Sequence, residues 1–105
     1  MALSSAQVRN LQSAIESAIS NIPMAMEHWG NHSALKAFEI GDVNDFVYGY
    51  VMGFISNAFF YIVFISEGRS PTQEELAESE KIISESRQRI REMISRERYR
   101  IRMSR

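Results

Sequence analysis

Not one of the chain's 105 residues is a cysteine. That excludes disulfides, a thiol nucleophile and cysteine-ligated metals, and it fits a reducing compartment, so a cytoplasmic location is the expectation. Two prolines and five glycines are too few for a linker-like or collagenous chain. No G-x-S-x-G, phosphate-cradling glycine loop or H-E-x-x-H is present, and the serines cluster where helix caps and solvent faces are expected. The expectation is therefore a non-enzymatic protein with no cofactor, no metal and no small-molecule substrate. The opening MALSSAQVRNLQS lacks the charged start and apolar run of a secretory signal, and none is expected there.

Charge is scarce in the middle of the chain and unevenly divided at its end. Residues 71–85 hold one lysine and five glutamates, whereas residues 86–105 hold eight arginines and two glutamates. Only that last segment has the charge density of an electrostatic surface.

What the chain has in quantity is a ring-rich stretch. Residues 43–66 contain eight of its eleven aromatics, and residues 46–65 run for twenty positions without a charge. At helical rise that length would cross a bilayer, so a single-span membrane protein with a charged helical tail is one reading. Ser56 and Asn57 at the middle, and the hydroxyls of Tyr48 and Tyr50, favour the other, a central helix covered by neighbouring helices. Asp45, Gly49, Gly53 and Ser56 fall in one stripe, and Gly49 and Gly53 form a G-x-x-x-G pair. Gly49, Gly53 and Ser56 are the expected site of a close helix crossing.

The remaining pattern is helical throughout. Ser4 to Gln7 has the form of a capping box, and Val8, Leu11, Ile15, Ala18, Ile22, Ala25 and Trp29 then recur at spacings of three and four. Pro23 predicts a kink near Ile22, and Gly30 a stop. A short helix over residues 33–40 follows, anchored by Leu35 and Phe38 and ended by Gly41. Asp42 opens the central helix. In EGRSPTQEE, residues 67–75, Gly68 closes that helix, Ser70 caps the next, Pro71 takes its first position and Gln73 completes a capping box. The last helix is expected to run to about residue 103, supported by Glu85–Arg89 and Glu92–Arg96 pairs, with its end beyond Ile94 projecting from the core. The expected fold is an all-α, small single-domain bundle: a kinked amphipathic helix, a short connector, a buried aromatic central helix and a long charged C-terminal helix, the last two forming an antiparallel hairpin.

Three groups of side chains are candidates for function. Arg96, Arg98, Tyr99, Arg100 and Arg102 form a basic run that suits an anionic partner, either nucleic acid or a membrane surface. The acidic-to-basic gradient along the last helix favours two copies placed antiparallel, hence a homodimer. His28 and His32, with Glu27, Glu39, Asp42 and Asp45 nearby, have a spacing a divalent metal could use, but Gly30 and Asn31 interrupt the helix between them.

Overall fold

The computed structural model describes residues 2–104, and among them every regular element is a helix. The chain forms three rods that pack as a small bundle measuring 47 × 24 × 18 Å.

The first rod is two helices end to end, α1 (Ser5–Ser20) and α2 (Ile22–Trp29). Ser4 caps α1: its Oγ accepts from the Gln7 N–H at 3.1 Å, while Gln7 Oε1 accepts from the Ser4 N–H at 2.8 Å. The expected kink is a one-residue break at Asn21. Pro23 sits in the first turn of α2, where a missing N–H leaves no bond unmade. The apolar stripe survives the break, because Leu11, Ile15, Ala18, Ile22 and Met26 are all buried.

The short helix, α3 (His32–Ala37), starts on Asn31, whose Oδ1 accepts from the Ala34 N–H at 2.8 Å. It ends earlier than residue 40, and not at Gly41. The Glu39 N–H donates to Lys36 O at 3.3 Å and the Ile40 N–H to Leu35 O at 2.9 Å, the paired bonds of a Schellman turn. The turn forces Glu39 to a left-handed φ of 57°. Phe38 is displaced onto the surface as a result and is no core anchor, although its ring still meets Trp29 edge-on at 5.4 Å.

The second rod is α4 (Val43–Glu67), capped by Asp42, whose Oδ1 accepts from the Asp45 N–H at 3.1 Å, and closed by Gly68 at φ 70°. Its buried residues recur every fourth position: Val43, Val47, Val51, Ile55, Phe59 and Val63. A four-residue step exceeds one turn by about 40°, so this stripe winds around α4 as neighbours cross it. Rod one runs antiparallel to α4. At one end Gln7 Nε2 donates to Ser66 Oγ at 2.8 Å, and at the other Trp29 packs on Phe46 with ring centroids 4.9 Å apart.

The third rod is α5 (Gln73–Ser84) and α6 (Arg87–Met103). Thr72, not Ser70, is the cap, and the box closes on Glu75, not Gln73. Glu75 wins because its carboxylate serves two partners at once. It accepts from the Thr72 N–H at 2.8 Å and from both Arg69 Nη atoms at 2.8 and 3.2 Å. The expected single last helix is broken at Glu85 and Ser86, where serine hydroxyls compete for helix carbonyls: Ser84 Oγ donates to Lys81 O at 2.8 Å. Arg89 turns away from Glu85 and grips Glu16 of α1 at 2.7 and 3.0 Å. Glu92 takes its bond from Gln88. The hairpin of the second and third rods forms as expected, and α6 stays on the bundle well past Ile94, since Ile101 is buried with the core.

Candidate functional site

Three rods leave each helix with an outward face, and the three faces differ in chemistry. The outer sides of α1 and α6 carry charge, including Arg9, Glu16, Arg89 and Arg96. The outer side of α4 carries none between residues 46 and 65.

The expectation of a buried aromatic helix therefore holds for one stripe only. Phe59 is 1% exposed, whereas Tyr50, Phe54, Phe60, Tyr61 and Phe64 lie between 46% and 65% exposed. The cause is geometric: two neighbouring rods can cover a winding stripe of α4 but not its whole circumference. At roughly 150–250 Å² for an entire aromatic side chain, those five rings present roughly 500 Å² to solvent. Ile65 extends the patch at the C-terminal end of α4, and Met24 of α2 stands at its other edge.

The hollows beside this face are uncharged as well. One of about 230 Å³ lies between α2 and α4, lined by Ala25, Met24, Tyr50 and Phe54 among others. A groove of about 480 Å³ runs between α1 and α4, from Ala6, Asn10, Ser13 and Ser17 to Tyr61 and Ile65. The charged hollows lie elsewhere, one at Glu16, Glu85 and Arg89 and another at Asp42, Arg98 and Arg102.

Gly49, Gly53 and Ser56 are all exposed, and among the described residues no helix crosses them. A Cβ added to either glycine would meet nothing within 4 Å. The notch they form opens outward, next to the rings.

The basic run is not gathered into one patch. Arg100 bridges within the fold, its Nε donating to Glu97 at 2.7 Å and its Nη2 to Glu27 of α2 at 3.0 Å. Those two acids hold its guanidinium firmly protonated. Arg98 and Arg102 line the hollow at the start of α4, while Arg96 and Tyr99 face solvent. Arg91 was not singled out by its sequence position, yet it ties α6 to α4 at the rim of the buried Ile90 and Ile94 contact. Its guanidinium reaches Asp45 Oδ1 at 2.8 Å and lies 3.7 Å from the centre of the Tyr48 ring.

His28 packs edge-on to Trp29, with centroids 4.7 Å apart. Among the described residues, no three histidine or acidic side chains converge as metal ligands would. Trp29 instead collects Phe38, Phe46 and Tyr50 into an aromatic joint holding α2, α3 and α4 together.

The signal for the outer face was present in the sequence as a seam of Tyr50, Gly53, Asn57, Phe60 and Phe64, spaced three and four apart, running beside the buried stripe. Comparison with protein-family models, with curated proteins and with solved structures finds no match for this chain.

Proposed function

We propose that the chain is a small non-enzymatic interaction module of the cytoplasm that self-associates as a homodimer through the outer face of α4. The observation that carries this reading is the uncharged, ring-bearing surface left open by the fold. Its area lies at the upper end of the roughly 300–600 Å² typical of the largest patch on a monomer. The rings of two such faces present roughly 1,000 Å², about the threshold for a specific interface, and the groove walls beside them add to it.

The C-terminal helix takes a supporting part. Rod three is acidic at the α5 end and basic at the α6 end, so an antiparallel arrangement of two chains sets unlike ends together. An anionic partner for the arginines draws less support. Arg100 is spent on Glu27 and Glu97, and Arg96 and Arg98 are two positions apart, about 200° around the helix.

One observation favours a second reading: α4 is long and apolar enough to cross a membrane. Against it, α1 and α6 flank α4 with outward ion pairs, Glu16–Arg89 and Asp45–Arg91. Spanning would require α4 to leave both rods and uncover Leu11, Ile15, Ile90 and Ile94. Light scattering across a concentration series without detergent tests the proposal. Twice the chain mass at tens of micromolar is expected; a monomer at every concentration, in low and high salt, or protein extractable only with detergent, overturns it.

A further inference from the structure

Resting on that reading, we infer that the occupant of the face is a second copy of this chain whose α4 lies antiparallel, with the two-fold axis passing at Asn57. The inference comes from the order of small and large residues along a second row of that face, Gly49, Gly53, Asn57, Tyr61 and Ile65, each four positions from the next. Gly49 and Gly53 lie at one end of the exposed surface, where their Cβ positions meet only open space, and Tyr61 and Ile65 lie at the other, each about two-thirds exposed. Asn57 stands midway between Gly53 and Tyr61, and also between Gly49 and Ile65.

An antiparallel pair centred on Asn57 puts Gly53 in one layer with the partner's Tyr61, and Gly49 with the partner's Ile65. Each large side chain then enters the notch left by a missing one, twice over by symmetry. A parallel pair in register would set glycine against glycine, drawing the backbones together at one end, and large side chain against large side chain at the other, forcing them apart. The antiparallel order also opposes the two helix dipoles and brings the arginine-rich end of α6 towards the glutamates of the partner's α5. Asn57, exposed and uncharged at the centre, meets the partner's Asn57, where two side-chain amides can each donate and accept. A polar residue at one position of the row fixes register, because a one-turn slip parts the two amides and sets each against Tyr61 or Gly53 of the other copy.

The absence of cysteine makes the test direct, since each introduced thiol carries the only label. Spin labels on Ser56→Cys, close to the axis, are expected within about 15 Å of one another, given an interaxial distance of roughly 8–10 Å. Labels on Glu67→Cys are expected about 30 Å apart along the helices, at 1.5 Å per residue. Glu67 labels close together in a dimer would mean a parallel pair and overturn the inference while leaving self-association standing.

A monomer at every concentration would overturn self-association itself. Gly53→Leu supplies a second arm. The space around Gly53 is open in the single chain and leucine is a better helix former, so the fold should be kept or strengthened while dimerisation weakens at least tenfold. Should Gly53→Leu instead leave the dimer intact, the notch is not part of the contact and the inference fails. If the unaltered chain floats with phosphatidylcholine vesicles and stays monomeric without them, the occupant is lipid and not a second copy.

Discussion

Phe59 and Tyr61 are two positions apart on α4 and should differ several-fold in the cost of truncation. Phe59 is the largest wholly buried side chain, 1% exposed, so Phe59→Ala removes roughly 200 Å² of covered ring and leaves a cavity. Full burial of a phenylalanine side chain is worth roughly 1.5–3 kcal/mol and the cavity adds to the loss, for the roughly 3–5 kcal/mol seen for such truncations. Tyr61 is 65% exposed, leaving only some 70 Å² of its ring covered at the same scale. Tyr61→Ala should therefore cost under about 1.5 kcal/mol once alanine's better helix propensity is counted. Urea unfolding followed by circular dichroism at low micromolar protein reads the difference. With a slope of roughly 1–3 kcal/mol per molar, Phe59→Ala should lower the midpoint by about 2 M and Tyr61→Ala by under about 1 M. A chain of this size has roughly 5–15 kcal/mol in all, and Phe59→Ala could remove most of it. Ile55→Val is the graded companion, expected to cost about 1 kcal/mol. If both inner substitutions prove silent while Tyr61→Ala unfolds the chain, α4 does not bury the stripe described and the packing is wrong.

Three further outcomes are expected. Thr72→Ala should lose the cap of α5 and cost about 1 kcal/mol in the same unfolding assay, whereas Ser70→Ala should change little. Glu39→Gly should stabilise by roughly 0.5–1 kcal/mol, because glycine occupies the left-handed φ of 57° without strain, and a lower melting temperature would argue against the Schellman turn. The Arg69 guanidinium, with the Thr72 N–H beside it, holds the Glu75 carboxyl down to about 2. A depressed carboxyl contributes stability that is complete above its unfolded value of about 4.3 and fades as pH falls towards 2. The urea midpoint should drop across that window, and Glu75→Gln should flatten the drop.

How far the fold could be read from the residues depended on whether a local signal had one partner or several. Ser4, Asp42 and Gly68 act within a single turn, and the structure uses each as its residue type suggests. The Ser70 cap failed because Thr72 Oγ1 accepts from the Glu75 N–H while the Glu75 carboxylate, held by Arg69, accepts from the Thr72 N–H in return. The Glu85–Arg89 pair failed because Glu16, 73 residues away in sequence, competes for the same guanidinium. Phe38 looked like an anchor because a phenylalanine at helical spacing usually is one. A left-handed residue just after it turned the ring outward, and Glu39 gives no compositional hint of that. The orientation of α4 was the hardest to read, since a helix apolar on all sides has no preferred inner face until its neighbours arrive.

That same property gives the outer face its meaning. Nothing in the single bundle requires rings at Phe54 or Tyr61, since Val47, Val51, Ile55 and Phe59 already meet the neighbouring rods. Charged side chains at those two positions would serve a lone soluble bundle better, as they do on the outer sides of α1 and α6. Rings left in water raise the free energy of the isolated chain at no benefit to its own core. On the proposed reading the benefit comes from a second copy that covers them. The proposed register follows from one row of that face, because Gly49 and Gly53 lie at one end of it and Tyr61 and Ile65 at the other, so a copy of the helix, reversed, carries the complement of each.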